Sequence, residues 1–184
     1  DLKFNGHAIE VRLCAEDEDF TPHAGVVRQF RAPAGIRFDH ALFDGQQVPP
    51  YYDSMLGKLI AHAPTRSEAI AQLAGALDRL QLLGLPTNRA FLAACLRHET
   101  FAAGQALIPF LSQQGDAIRA VLQRDELAVR DTAAQAVIYP APPSTLACSF
   151  TRPARLRHRG EVFDFIAPGD NSAARATAVR MDGN

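Results

Sequence analysis

A chain of 184 residues with 47% hydrophobic content is long enough for one ordinary domain and a piece of another, a division that a mid-chain composition shift supports. Its formal charge of −1 gives no general attraction to nucleic acid or to an anionic membrane, although among 19 basic residues only Lys3 and Lys58 are lysine. Cys14, Cys95 and Cys148 are odd in number and far apart, and no apolar run approaches the ~18 residues of a spanning helix, so neither a disulfide framework, a zinc site nor a membrane span is indicated.

A reduced, cytoplasmic setting is expected. The first residues lack the basic-then-apolar order of a signal peptide and run without an initiator methionine into a strand pattern, so an excised piece of a larger protein is expected.

In residues 7–13, Ile9, Val11 and Leu13 alternate with Ala8, Glu10 and Arg12, the period-two pattern of a half-buried strand. Glu10 and Arg12 therefore share its polar face. Further strands are expected at 26–30, 36–38, 41–43 and 58–62, with Asp44-Gly45 as a hairpin turn. Pro49-Pro50 fix φ and remove two backbone donors, so Tyr51, Tyr52 and Asp53 fall on a loop of restricted shape.

The period changes at Thr65-Arg66-Ser67-Glu68, a capping-box sequence with Ile70, Leu73, Leu77 and Leu80 after it. A helix over about 67–82, stopped by Gly84 and Pro86, precedes a second over about 88–97 that Thr87 or Asn88 can cap. Gly104, Pro109 and Gly115 should break the third helical region into shorter pieces, of which 117–129 is the most regular. The fold class is α+β: an antiparallel β unit over about 5–63 with helices packed on it, then a truncated β-rich segment. The latter comes after the connector Tyr139-Pro140-Ala141-Pro142-Pro143-Ser144, with strand-like runs at 146–150, 155–159, 162–166 and 174–181 that are expected to be ordered only in part.

Taken residue by residue, Arg12 is a strand-face cation that can pair with Glu10, two residues and about 6–7 Å away along the strand. Tyr51, Tyr52 and Asp53, with Lys58 just beyond, read as a rigid connection whose tyrosines cover core and whose carboxylate accepts backbone donors. Arg37 is a second strand-face charge. The six histidines show no ligand spacing, no metal site is expected, and Arg152, Arg155, Arg157, His158 and Arg159 read as a solvated strand face.

Four segments carry a resemblance: Gly6-His7-Ala8-Ile9-Glu10-Val11-Arg12-Leu13-Cys14-Ala15-Glu16-Asp17, Val48-Pro49-Pro50-Tyr51-Tyr52-Asp53-Ser54-Met55-Leu56-Gly57-Lys58-Leu59, Gly84-Leu85-Pro86-Thr87-Asn88 and His98-Glu99-Thr100-Phe101-Ala102-Ala103-Gly104. Together they resemble the C-terminal domain of biotin carboxylase, over residues ~5 to 114, with its hybrid-motif-like β unit. The resemblance implies that Arg12 stabilises enolate-like negative charge on biotin beside bicarbonate. Glu10, Tyr51, Tyr52, Asp53 and Lys58 would shape the cleft, and Arg37 would lie in a dimer interface. Glu18-Asp19-Phe20 departs from the family, where a proline commonly comes after Ala-Glu-Asp.

A glycine-rich phosphate loop, ATP-grasp lysines, metal-binding glutamates and a Met-Lys-Met biotinylation site do not occur in this sequence. Biotin, ATP and Mg would serve the full-length enzyme, and none is expected on this chain alone. The continuation past residue 114 is similar to the biotin-containing α chain of an acyl-CoA carboxylase, of the methylcrotonyl-, geranyl- or propionyl-CoA type. That similarity divides the chain into residues 1–115, a helical connector 116–139 and the start of a truncated coupling domain 140–184. Its implied partners are an N-terminal ATP-grasp portion, a biotin carboxyl carrier domain, a carboxyltransferase subunit and a second copy. Other assignments within the resemblance are a non-catalytic assembly module and the carboxylase of an acetyl-CoA or pyruvate system.

Overall fold

Alternation, capping and turn chemistry place the elements of a computed structural model that describes residues 3–138, 153–158 and 161–166. In chain order they are β1 (His7–Cys14), β2 (Gly25–Val26), β3 (Gln29–Arg31), β4 (Arg37–His40), β5 (Gln47–Val48), β6 (Met55–Ala63), α1 (Arg66–Arg79), β7 (Gln81–Leu83), α2 (Arg89–Arg97), α3 (Glu99–Ala102), α4 (Phe110–Ile138), β8 (Pro153–His158) and β9 (Glu161–Ile166). Two compact units divide the chain, Asp1–Leu122 and Gln123–Asn184.

In the first unit β6 is the central strand of a sheet in the order β1-β6-β4, antiparallel throughout. Ile9, Val11 and Leu13 of β1 and Leu59, Ala61 and Ala63 of β6 point inward, and α1 covers them with Ile70, Leu73 and Leu77. Full burial of each such leucine stabilises the unit by about 1.5–3 kcal/mol. Thr65 supplies the expected capping box: its hydroxyl accepts from the Glu68 amide, and the Glu68 carboxylate accepts in return from the Thr65 amide. With one face of the sheet occupied by α1, the other is left for polar side chains.

Several expected elements are redrawn by their partners. The run at 26–30 is split, because β2 pairs with β5 while β3 pairs with β7, so one segment serves two ribbons. No strand forms at 41–43. Asp44-Gly45 does form a turn, closed by the Gln46 amide donating to Phe43 O, but it faces β3 rather than joining two strands: Asp44 accepts from the Phe30 amide (2.6 Å) and the Arg31 guanidinium (2.9 Å), and the Gly45 amide donates to Val27 O. Helix α1 ends at Arg79, well before Gly84, because Gln81–Leu83 is drawn into β7 and Arg89 Nη1 takes the carbonyls of Leu77, Asp78 and Leu80. Gly84 itself has φ +115°, and a Cβ there would lie 2.1 Å from Val26 O, so only glycine lets this turn pass so close to β2.

Gly115 does not interrupt the third helical region, which is continuous as the 29-residue α4. One interior glycine costs only about 1 kcal/mol, and Arg119, ion-paired with Asp116, lays its guanidinium beside the bare backbone. In the second unit, β8 and β9 form an antiparallel hairpin with Arg155 Nε 3.0 Å from Asp164 Oδ1, and Arg130 stands 4.2 Å over the Phe163 ring. The expected strands at 146–150 and 174–181 lie outside the described residues.

Candidate active site

Antiparallel register, rather than sequence proximity, assembles the candidate site on the exposed face of the β1-β6-β4 sheet. Arg12 stands opposite Lys58, and Lys58 opposite Asp39; one row along, Glu10 is opposite Ile60 and Ile60 opposite Arg37. Directly opposed residues share a face with Cβ atoms about 4.5–5.5 Å apart. Five charges thus occupy one small area. Asp39 was not among the residues read from sequence, although the alternation Arg37-Phe38-Asp39 puts it on the same face as Arg37.

The charges pair unevenly. Lys58 Nζ lies 3.6 Å from Glu10 Oε1, while Arg37 grips Asp39 through Nε (3.1 Å) and Nη2 (2.8 Å). Glu10 therefore serves Lys58 and not Arg12, which replaces the expected Glu10–Arg12 pairing. Among the described residues the Arg12 guanidinium has no hydrogen-bond or ion-pair partner, and across the ladder it confronts a like charge. Such opposition is unfavourable by itself. Arg37 and Ile60 also border an open depression of about 370 Å³ that Gly35, His62 and Gln72 help to line.

The hydrogen bonds from Arg37 hold the Asp39 carboxyl below the ordinary carboxylate range, its charge and that of Lys58 adding to the effect, and Arg37 is raised in turn. A depressed carboxyl stabilises the fold above that ordinary range, and the contribution is lost as pH falls through the lowered Asp39 value. Arg37→Ala should accordingly move the Asp39 titration upward in a carbon-detected NMR experiment. An unmoved titration would break the assignment of the shift to this pair.

Beyond Arg12 the ladder with β6 shifts register between Leu13 and Cys14 and resumes with Cys14 opposite Met55. The Ala15 amide donates to Ser54 O (2.8 Å) and the Ser54 hydroxyl to Glu16 Oε1 (2.6 Å), stitching Ala-Glu-Asp to the Pro-Pro-Tyr-Tyr-Asp loop. Asp53 Oδ1 accepts from the Met55 amide, an Asx turn that fixes the start of β6. Tyr51 and Tyr52 are 85% and 83% exposed, so they cover no core. Asp17 gathers the amides of Asp19 and Thr21 and the His23 ring, which holds its carboxyl low. Phe20 adopts φ +61° and sets its ring edge-on to Phe91, centroids 5.3 Å apart.

Asn88 also escaped the sequence reading as a site residue. It occupies the cap position of α2, yet its side chain makes no capping bond, since its amide group is spent on β1 instead. Burial, then the charge of Glu16, pushes the Cys14 thiol up, and burial pushes Cys95 up to about 11. No cluster of three or more His, Cys, Asp or Glu able to hold a metal occurs among the described residues, nor any helix long and apolar enough to cross a membrane.

The family model of the biotin carboxylase C-terminal domain matches residues 10–113. The biotin carboxylase of Halalkalibacterium halodurans is 41% identical over 115 residues, 61% of this chain and 25% of that protein. A pyruvate carboxylase subunit from Methanothermobacter thermautotrophicus is 36% identical over 128 residues, 67% of this chain and 26% of that one. The chain thus spans about a quarter of the length of the curated relatives it matches. Among solved structures, the biotin carboxylase domain dimer of Hydrogenobacter thermophilus 2-oxoglutarate carboxylase, in complex with MgADP, ADP and bicarbonate, superimposes with a TM-score of 0.61. It is 31% identical, over 64% of this chain and 27% of that one. A match across the sheet, the Pro-Pro-Tyr-Tyr-Asp loop and the helices beyond it settles the kinship: this chain belongs to the biotin carboxylase C-terminal domain family.

Proposed function

We propose that this chain supplies part of the biotin and bicarbonate site of a biotin-dependent acyl-CoA carboxylase, a ligase that carboxylates biotin at the expense of ATP. The observation that carries the reading is Arg12: a guanidinium without a partner among the described residues, on a rigid sheet, abreast of a second cation. A fixed cation so placed is completed by an anion. Its planar fork suits a delocalised oxyanion, such as bicarbonate or the enolate-like ureido oxygen of biotin, and its charge persists at every working pH.

Biotin, when bound, supplies the nitrogen that accepts the carboxyl group. Arg12 stabilises the negative charge that builds on the ureido oxygen, Lys58 and Glu10 hold the row beside it, and the Tyr51–Asp53 loop walls the cleft. ATP and Mg would be held by an N-terminal ATP-grasp portion. A carrier domain would bring biotin, a carboxyltransferase subunit would take the product, and Arg37 would face a second copy in a cytoplasmic assembly.

The acyl-CoA assignment is supported by the chain beyond the family match, where α4 runs on and the β8–β9 hairpin comes after it, the order of a helical connector followed by the opening of a coupling domain. A pyruvate or 2-oxoacid acceptor is favoured instead by the names of two relatives, a pyruvate carboxylase subunit and the small subunit of 2-oxoglutarate carboxylase. The test is label from bicarbonate, with MgATP and the complete subunit. Fixation on free biotin and transfer to an acyl-CoA by the partner subunit is expected. Transfer to pyruvate or 2-oxoglutarate instead would overturn the acyl-CoA assignment, and no fixation on biotin the whole reading. The 184-residue chain alone should show no micromolar heat of MgATP binding in calorimetry.

A further inference from the structure

A residue at a helix N-cap ordinarily spends its side chain on the first free amides of that helix. Asn88 does not. Its Oδ1 accepts from the Cys14 amide (3.0 Å), its Nδ2 donates to the Arg12 carbonyl (3.2 Å), and its own amide donates to the Cys14 carbonyl (3.2 Å). All three main-chain groups belong to the outer edge of β1, the side away from β6, because carbonyls and amides of residues two apart point the same way along a strand. Asn88 thus acts as a one-residue surrogate for a neighbouring strand.

It acts where the ladder is irregular. The pairing of β1 with β6 shifts register between Leu13 and Cys14, so the inner side carries an irregularity one residue beyond Arg12 before pairing resumes at Cys14 and Met55. The Arg12 side chain has no partner among the described residues to hold its head, so among them its aim depends on the backbone. A tilt of about 10° at that peptide would swing a guanidinium ~6 Å away through roughly 1 Å, a displacement large enough to cost on the order of 100-fold in a catalytic step.

We propose that Asn88 is a positioning residue for Arg12, acting through the Arg12 carbonyl and the two polar groups of Cys14; the proposal rests on the role assigned to Arg12 above. Asn88→Asp and Asn88→Ser provide the discriminating variants, because both residues are as good at a helix cap as asparagine. Aspartate keeps an acceptor for the Cys14 amide but turns a carboxylate oxygen toward the Arg12 carbonyl, and serine is too short to bridge both groups. A capping role would leave either variant near wild type. A positioning role lowers kcat for biotin carboxylation in the complete subunit by about 10- to 100-fold in both, with KM for ATP unchanged and the protein still folded at the assay temperature despite a modest fall in melting temperature.

The double variants with Arg12→Ala separate the route. If Asn88 works through Arg12, adding either substitution to Arg12→Ala lowers the residual turnover no further. Multiplicative losses, near-wild-type turnover of the single Asn88 variants, or losses that track the melting temperature would each overturn the proposal. Wild-type turnover of Arg12→Ala alone would overturn the role of Arg12 itself, an outcome distinct from the other three.

Discussion

Arg12→Ala in the complete subunit is expected to lower kcat for biotin carboxylation by roughly 30- to 1000-fold, about 2–4 kcal/mol of transition-state stabilisation. Arg12→Lys should lose nearly as much, because a lysine keeps the charge but not the planar fork of donors. KM for ATP should hardly change. The stability readout is the sharper part, since Arg12 has no ion pair among the described residues and stands opposite Lys58. Its removal relieves a like-charge opposition, so the melting temperature should hold or rise slightly. Turnover near wild type, or an activity loss that merely tracks unfolding, would return Arg12 to an ordinary surface charge.

Leu73→Ala should have the largest effect on stability. Leu73 is fully buried on α1 in the core cluster it shares with the inward residues of β1 and β6, and trimming it leaves a cavity that rigid sheet neighbours cannot fill. The expected cost is about 2–5 kcal/mol, which for a unit of this size is roughly 8–20 °C in Tm. Leu107→Ala is the matched control: with Leu107 75% exposed, its loss should stay within about 0.5 kcal/mol. Comparable urea midpoints for the two variants would mean that α1 is not the element closing this core.

The features legible in the sequence were local. The alternation around Ile9, Val11 and Leu13 gave β1 and the outward direction of Arg12, and Thr65 with Glu68 gave the start of α1 almost to the residue. Pairing was not legible. Nothing near Asp44 says that its carboxylate will hold Phe30 and Arg31, and nothing near Gln81 says that β3 awaits it. The partner of Glu10 was misread for the same reason: along the strand Arg12 is nearest, but the ladder brings Lys58 across. Asn88 carried a true local signal, a cap residue before an apolar helix, and its side chain was diverted by a strand far away in the chain.

That separation of 76 residues between Arg12 and Asn88 gives the site a birth order. A ribosome adding about 5–20 residues per second needs roughly 4–15 s after making Arg12 before Asn88 even exists. During that interval β1 emerges with Ile9, Val11 and Leu13 uncovered, first without β6 and then without its edge clamp. Slow codons between residues 63 and 88 would prolong an aggregation-prone nascent chain, so the yield of active protein should respond to synonymous changes there that leave the finished molecule identical.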